Sequence, residues 1–278
     1  MPIALVTAEH LPDLDPDSQL LLEPLAAEGV ETRIVAWSDP RADWSVFDAI
    51  VVRSTWDYFH REEDFHAWLD HVEPLAPVVN PVPVLRWNAH KTYLRDLAER
   101  GVPTVETLWV QPGEETAVPW ERAIVKPAVA GNALGLERLR AGDVVRATDS
   151  DLLVQPLVES IVTEGELSVL YAAGELSHVV RKVPRQGDIR VQPEFGSDVR
   201  LEQPDDEMVA AADAVLEQVD HELGYARVDL VRTADGRLSL IELEVIEPHL
   251  YLAWDPAAPA RFARALAAAT ASAAGPLA

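Results

Sequence analysis

The chain has 278 residues, of which 48% are hydrophobic and 25% are charged, proportions typical of a globular protein with a large buried core. Its formal net charge of −24 argues against nucleic acid or an anionic membrane as a general partner. Because the chain has no cysteine, disulfides, thiolate nucleophiles and zinc–thiolate sites are excluded. No apolar run approaches the roughly 20 residues of a membrane span, and the N-terminus lacks the basic region of a signal peptide, so we expect a cytoplasmic protein.

The first 84 residues are predicted to form a parallel α/β domain. Apolar runs and cap residues predict alternating elements, with strands at 2–7, 31–37 and 47–53 and helices at 15–28 and 61–72. The first strand-to-helix turn has no Gly-rich fingerprint, so a dinucleotide site is not expected there. Ligands of open α/β sheets bind beyond the carboxyl ends of strands, which makes Arg53, Ser54 and Trp56 candidate substrate contacts. For Arg53, a salt bridge to a nearby acid is an equal alternative.

A Pro-rich segment at 74–83 predicts a linker to the rest of the chain. After it we expect a helix at 88–100, capped by Asn88, with Lys91 in its first turn. The N-terminus of a helix carries free N–H groups that favour anions. Lys91 is therefore a candidate phosphate ligand.

The next predicted strands occupy residues 102–110 and 123–127, and Lys126 lies at the end of the second. A loop of small residues that includes Gly131 and Asn132 follows directly. Small residues allow backbone N–H groups to approach a phosphate closely. A loop of this kind is a weak signal alone, but it gains weight from the lysine before it.

Lysine is rare in this chain: only three of the 23 basic residues are lysines, at positions 91, 126 and 182. Lysine is a compact point charge that binds phosphate differently from arginine, so we favour function over chance retention on the surface. The remaining predicted elements are strands at 152–158, 166–173 and 175–182 and helices at 205–223 and 257–274. Lys182 ends the third of these strands.

Residues 225–247 are predicted to form a β-hairpin with a two-residue turn at Asp235-Gly236. In that register Asp229 lies opposite Glu242 and Arg227 lies opposite Glu244, all on one face. The other face is predicted to carry four apolar residues: Val228, Leu230, Ile241 and Leu243. Three neighbouring carboxylates repel one another and favour a hard divalent cation such as Mg²⁺. A solvated sheet face with Arg227 as salt-bridge partner is an equal alternative on the hairpin alone.

In chain order these motifs resemble the ATP-grasp ligases, the superfamily of D-alanine–D-alanine ligase, glutathione synthetase and the ribosomal-protein glutamate ligase. The motifs are Lys91, Val125-Lys126-Pro127, Gln155–Val158, Glu166–Val169, Arg227-x-Asp229 and Glu242-x-Glu244. The stretches 53–57 and 242–251 are most similar to the branch that contains the cycloserine-forming ligase of antibiotic biosynthesis. The resemblance implies a mixed α/β and α+β ATP-grasp fold with a pre-ATP-grasp α/β domain at 1–84 and two α+β subdomains, at 85–155 and 156–278, that clasp the nucleotide.

The resemblance also implies a role for each site residue. ATP would be bound by Lys91, Lys126, Gly131, Asn132, Gln155, Leu157, Val158 and Glu166; Mg²⁺ by Asp229, Glu242 and Glu244; and the reacting groups by Lys182, Arg190 and Arg227. Many family members have asparagine where Glu244 stands, so this site carries an extra negative charge. Pro156 has no N–H, so adenine must be recognised by a carbonyl group and the N–H of a neighbour such as Val158. His249 and Tyr251 are further candidate substrate contacts, although a structural His249 is an equal alternative.

The implied function is an ATP- and Mg²⁺-dependent carboxylate–amine or ring-closing ligase. An acyl phosphate would form on a small amino-acid-like or peptide substrate, with ADP and phosphate as products. The alternative is a non-catalytic ATP-binding module that acts as a regulator or as a partner subunit. The expected partners are small-molecule acids and amines. A homodimer is only a guess from family habit and from the commonness of two-fold pairs.

Overall fold

The computed structural model describes residues 2–273. Met1 and residues 274–278, which the first and third predicted domains include, lie outside the described residues, as does Ala274 of the predicted last helix. Of the helices within the described range, none has the length and apolarity needed to cross a membrane.

The N-terminal segment forms the predicted parallel sheet, with strand order β2-β1-β3-β4. Its elements are β1 (Ile3–Thr7), α1 (Pro16–Gln19), α2 (Leu22–Ala27), β2 (Thr32–Ala36), β3 (Ala49–Ser54), α3 (Glu62–Val72) and β4 (Val78–Val79). The Asp15 side chain caps α1 by accepting hydrogen bonds from the N–H groups of Asp17 and Ser18. The single helix predicted at 15–28 is wrong, because Pro24 has no N–H to continue the ladder between α1 and α2.

Two short helices replace the single one predicted at 88–100: α4 (Val82–Ala89) and α5 (Tyr93–Glu99). Asn88 lies inside α4 and does not cap a helix. Its side chain instead donates to Leu243 O and accepts from Val245 N–H, at 2.8 and 3.2 Å. Lys91 therefore lies in the turn between the two helices. The predicted 74–83 linker is also shortened, because it contains β4 and the start of α4.

A four-stranded antiparallel sheet follows, with order β5-β10-β7-β8, beside a two-stranded sheet of β6 and β9. The strands are β5 (Leu108–Val110), β6 (Glu115–Ala117), β7 (Arg122–Pro127), β8 (Glu137–Arg140), β9 (Val144–Arg146) and β10 (Leu152–Pro156). The strand predicted at 102–110 is wrong in its first half. There Val105 N–H and Pro103 O pair with the backbone of Leu240 in the other sheet.

The second antiparallel sheet has five strands in the order β13-β12-β11-β14-β15. Its elements and the helices around it are α6 (Ser160–Thr163), β11 (Glu166–Ala172), β12 (Glu175–Val183), β13 (Asp198–Glu202), α7 (Asp206–Leu216), β14 (Tyr225–Arg232), β15 (Leu238–Glu244) and α8 (Ala258–Ala273). The helix predicted at 205–223 ends early; the carbonyl of Gln218 accepts a hydrogen bond from Arg100 instead of closing another helical turn. One core cluster packs α5 and α7 against this sheet, and a second packs α8 and α2 together.

The β14–β15 hairpin differs from the predicted one in its turn. Three residues, 234–236, connect Thr233 and Arg237, and Gly236 has φ +84°. The register then shifts by one residue between Asp229 and Leu230. Because of this bulge, Leu240 rather than Ile241 joins Val228, Leu230 and Leu243 in the main core cluster, while Ile241 lines a cavity.

Mixed α/β architecture, with one parallel and two main antiparallel sheets, agrees with the predicted fold class. The domain boundaries at 84 and 155 stay a prediction.

Candidate active site

A cavity of about 600 Å³ opens between the two antiparallel sheets and the loop that follows β3. Every residue that the sequence assigned to ATP, metal or catalysis lines this cavity. Three of the five candidate substrate contacts line it as well, namely Trp56, His249 and Tyr251. The predicted residues come from both sheets and from the N-terminal segment, so only the folded chain brings them together.

The carboxylates of Asp229, Glu242 and Glu244 form a cluster whose ligand oxygens all lie within 4.8 Å of one another. Asp229 faces Glu242 across the β14–β15 ladder, and Arg227 faces Glu244, as predicted. Arg227 donates to Asp229 at 2.8 Å and forms an ion pair with Glu244. The structure thus contains both features weighed from the sequence, a salt-bridged arginine and three clustered acids. A set of carboxylate oxygens is the donor set that fits Mg²⁺.

Burial and neighbouring charges act in opposite directions on these acids. Burial disfavours the ionised form of Asp229, but Arg227 and Lys182 outweigh it and lower the pKa of this carboxyl group. For Glu244, burial raises the pKa to about 7 against the attraction of Arg227. An added cation at this cluster would favour the ionised form of every acid in it.

The three lysines differ in their partners. Lys91 Nζ lies 3.1 Å from Glu242 and donates to Ala130 O at 2.7 Å. Lys182 is 2% exposed and forms ion pairs with Glu166 and Asp229. The ammonium group of Lys126 has neither a hydrogen bond nor an ion pair within the described part of the chain.

Lys126 is thus a cation without a counterion at the wall of the cavity. Burial lowers its pKa and nearby Lys91 adds to this effect, while Glu242 opposes it. Both effects disfavour the charged ammonium group, and an anion in the cavity would relieve them.

The segment predicted to bind adenine keeps one backbone donor available. Leu157 N–H donates to Arg122 O at 3.0 Å, and Pro156 has no N–H. Val158 N–H has no hydrogen-bond partner among residues 2–273. Val158 N–H is therefore free to donate, and its role toward adenine stays a prediction.

The loop predicted to approach phosphate has an unusual backbone. Asn132 and Ala133 have φ of +52° and +54°, a region that costs free energy for residues other than glycine. A Cβ atom added to Gly131 would lie 2.9 Å from the ring of Phe59, so this glycine allows the loop to contact the N-terminal segment.

Arg190 lines the cavity from the loop between β12 and β13 but is already paired. Its guanidinium donates to Asp188 at 2.8 and 3.1 Å and lies 3.8 Å from the centre of the Phe195 ring. These contacts use Nε and Nη2 of the guanidinium, so Nη1 keeps its donors for another anion.

The structure places Arg53 and Ser54 outside the cavity. Arg53 is 1% exposed and donates to Pro248 O at 2.8 Å, while Ser54 donates to Asp15 at 2.7 Å. Arg53 therefore supports the segment after β15 from behind, while Ser54 contacts the residue that caps α1. The expectation that they contact substrate is not supported by this arrangement.

His249 presents a fixed tautomer when neutral. Its Nδ1 accepts from Tyr251 N–H at 3.1 Å, and burial lowers the pKa of the ring although Asp17 opposes this effect. The neutral ring consequently carries its proton on Nε2.

Several residues of this cavity were not predicted from the sequence: Tyr58, Phe59, Tyr93 and Glu247. Tyr58 and Phe59 closely follow Trp56, so the position of Trp56 after β3 was a usable signal. Tyr93 accepts a hydrogen bond from Leu243 N–H across 150 residues of sequence, which no local pattern indicates.

Comparisons with known proteins agree with these observations. Residues 3–80 match the family model described as the N-terminal domain of D-cycloserine synthetase DcsG. The chain is 33% identical over 293 aligned positions to the cycloserine biosynthesis protein DcsG of Streptomyces lavendulae, covering 95% of this chain and 97% of that protein.

Solved structures show the same similarity. The crystal structure of D-cycloserine synthetase DcsG is 29% identical, with a TM-score of 0.85 over 97% of this chain and 100% of that one. The ATP-grasp ligase PsnB, complexed with a phosphomimetic variant of its minimal precursor, Mg and ADP, has a TM-score of 0.64 at 18% identity, covering 98% and 99% of the chains. D-alanine–D-alanine ligase from Bacillus anthracis complexed with ATP has a TM-score of 0.65 at 12% identity, covering 99% and 98%, so these two share the fold.

Proposed function

The chain belongs to the D-cycloserine synthetase family of ATP-grasp ligases, and from this premise we propose that it activates a substrate carboxylate with ATP as an acyl phosphate and closes a ring onto a nitrogen of the same molecule. As a member of this family it is an ATP-dependent enzyme that forms C–N bonds. The non-catalytic alternative weighed from the sequence is therefore not retained.

One observation carries the proposal: three carboxylates and all three lysines of the chain converge on one cavity. Cations and backbone donors, which phosphates require, line the same cavity as a cluster of carboxylate oxygens, which a divalent ion requires. Phosphoryl transfer depends mainly on positioning and charge neutralisation, so a cavity of this composition suits it without a side-chain nucleophile.

We assign the metal site to Asp229, Glu242 and Glu244. Mg²⁺ bound there would supply neutralisation of negative charge on phosphate oxygens. Within the chain, Arg227 holds two of these carboxylates at the cavity wall. Lys91 is paired with the third, Glu242.

The basic residues bind the phosphates and stabilise the negative charge that develops during the reaction. Lys126, which has no counterion among the described residues, binds an ATP phosphate together with Lys91. Lys182 lies beside Asp229 and meets the phosphoryl group that is transferred. Arg227 stabilises the negative charge on the carbonyl oxygen when the nitrogen attacks.

The bond changes follow from this arrangement. A substrate carboxylate oxygen attacks the γ-phosphorus and ADP leaves. The nitrogen then attacks the acyl carbon, inorganic phosphate leaves, and the nitrogen gives up a proton. An intramolecular reaction needs room for one small acid beside ATP, and a cavity of about 600 Å³ is in the range of small-molecule sites.

The experiment uses acids suggested by the product named for the relatives. Opening the ring C–N bond of D-cycloserine gives D-serine with a nitrogen on its side-chain oxygen. Derivatives of this kind, with the nitrogen free or acylated, are incubated with ATP and Mg²⁺, and ADP and cyclised product are measured. We expect both products to form only with the acid present, and hydroxylamine to trap the acyl phosphate as a hydroxamate.

Lys126→Met is expected to abolish this turnover, whereas Arg122→Gln, at the exposed start of the same strand β7, is expected to retain it. ADP release without any acid, or turnover by Lys126→Met at the wild-type rate, would contradict the proposal. Cyclisation without hydroxamate formation would contradict the acyl phosphate.

A further inference from the structure

We propose that Glu247 binds the ammonium group of the substrate, at an aromatic end of the cavity formed with Trp56, Tyr58 and Phe59. This inference rests on the proposed function, because it gives the ring-closing substrate a free amino group. It concerns a residue outside the metal cluster and outside the predicted ATP contacts.

Glu247 is an acid without a partner at the cavity wall. Within residues 2–273 no hydrogen bond or ion pair reaches its carboxyl group, and its Oε2 atom is shielded from solvent. Most buried carboxylates are paired, because an unpaired charge removed from water costs several kcal/mol. The missing partner is therefore a group that the chain itself does not supply.

Of the basic residues, Arg53 attracts the charge of Glu247 most strongly. It is nevertheless not the ion-pair partner of Glu247. Its attraction opposes the rise in the pKa of Glu247 that burial and Glu244 cause, yet the two side chains do not form an ion pair. Arg53 donates instead to the backbone carbonyl of Pro248. It thereby fixes the chain beside Glu247 and leaves the carboxyl group available.

Aromatic side chains complete this end of the cavity. Trp56, Tyr58 and Phe59 line the cavity from the N-terminal segment, and Trp56 contacts the backbone of Glu247. Burial raises the pKa of Tyr58, and Glu247 is the foremost of the acids that raise it further. A carboxylate beside aromatic rings is suited to an organic ammonium ion, which gains from both the charge and the ring faces.

Side chains from other segments contact the backbone carbonyl groups of Glu247 and of Ile246 before it, and so fix the position of Glu247. Trp56 Nε1 donates to Glu247 O at 3.2 Å. The Tyr225 hydroxyl has a single proton to donate and lies 2.7 Å from Val52 O and 3.0 Å from Ile246 O, between β3 and the residue before Glu247. A site held in this way is preorganised, so little ordering is required when a ligand binds. A single carboxylate also suits an ammonium group better than a second Mg²⁺, which requires several oxygen ligands.

The test measures binding of D-cycloserine, which has a free amino group, and of its N-acetyl derivative, which has none, by calorimetry with Mg-ADP present. We expect the wild type to bind D-cycloserine at least about tenfold more tightly, because a hydrogen bond between charged groups is stronger than one between neutral groups. Glu247→Gln is expected to bind both compounds equally weakly, and Glu247→Asp to recover part of the preference. All variants should bind Mg-ADP as the wild type does, which shows that they are folded.

Glu194→Gln is the matched control, because Glu194 is an exposed acid at the rim of the same cavity. It should keep the wild-type preference. Equal binding of the two compounds by the wild type, or an unchanged preference in Glu247→Gln, would overturn the inference and leave the ligase proposal standing. If neither the wild type nor any variant bound D-cycloserine while all of them still bound Mg-ADP, both the Glu247 inference and the ligase proposal would be overturned.

Discussion

Lys91 Nζ lies 3.1 Å from Glu242 Oε1, so a candidate phosphate ligand and a candidate metal ligand neutralise each other in the ligand-free chain. ATP would compete for the lysine and Mg²⁺ for the carboxylate. If either ligand binds alone, it leaves the other member of the pair without its partner in a half-buried environment, which is costly. The two ligands together replace both halves of the ion pair.

ATP and Mg²⁺ are therefore expected to stabilise the protein together much more than separately. A ligand at 100 times its Kd adds about 2.7 kcal/mol of stability. For a chain of this length that corresponds to a rise in Tm of about 5–10 °C. Thermal denaturation with ATP, Mg²⁺ and both is the measurement, and we expect each alone to give less than half of the joint shift.

The variant Glu242→Gln checks the origin of this cooperation. It releases Lys91 without a metal, so ATP alone should shift its Tm more than it shifts that of the wild type, and Mg²⁺ should add little. Additive shifts in the wild type would contradict the proposed exchange of partners.

Lys126 offers a separate test because its ammonium group has no partner among residues 2–273. Lys126→Met is expected to weaken ATP binding at least about tenfold, since a hydrogen bond to a charged group contributes about 1.5–3 kcal/mol. The Tm of the free protein should not fall, because no ion pair is lost. Lys91→Met is the comparison: it should also weaken ATP binding but lower the Tm, since Glu242 loses its partner. Calorimetry and thermal denaturation distinguish the two variants.

The hairpin shows how far local pattern predicts the site. The facing of Asp229 and Glu242 was predicted from a two-residue turn, but the turn has three residues. A bulge at Ile241 compensates for the extra turn residue and restores the predicted pairing of the two acids. The alternation of side chains along the strands does not predict this bulge. The same bulge explains why Ile241 was assigned to the wrong face.

Contacts between distant segments were the least predictable part. The lysines, acids and small-residue loop each have a local signal, and all were assigned to one site from their types and order. Asn88 has an equally clear signal as a helix cap, but the folded chain uses its amide to pair with β15. The choice between a local and a distant partner depends on packing that one sequence does not display.

Asn88 supplies the third prediction. Its amide pairs with Leu243 O and Val245 N–H, the backbone on either side of Glu244. Asn88→Ala leaves both groups buried without partners, which we expect to cost about 2–5 kcal/mol of unfolding free energy. Mg²⁺ affinity in the presence of ATP should fall as well, because Glu244 loses its support. Urea denaturation and metal titration measure the two effects.

A control for Asn88→Ala is Asn132→Ala in the small-residue loop, whose side chain makes no hydrogen bond within the described chain. The Asn132→Ala variant should retain most of the unfolding free energy, because placing alanine instead of asparagine at a positive φ costs about 1 kcal/mol. If Asn88→Ala were as stable as Asn132→Ala, the proposed support of β15 would be refuted.

His178, which lies away from the active site, makes the stability of the protein depend on pH. Burial on β12 lowers the pKa of its ring below the usual 6.5, and its Nε2 has no hydrogen-bond partner in residues 2–273. Below pH 6.5 this histidine is protonated in the unfolded chain but stays neutral in the folded chain. The free energy of unfolding therefore decreases as the pH falls from 6.5 toward the folded pKa, by up to about 1.4 kcal/mol per pH unit. Urea denaturation at pH 7.5 and 5.5 should therefore show a smaller loss for His178→Gln than for the wild type. The exposed His221→Gln should lose as much as the wild type, and equal losses in all three proteins would show that His178 is protonated in the fold.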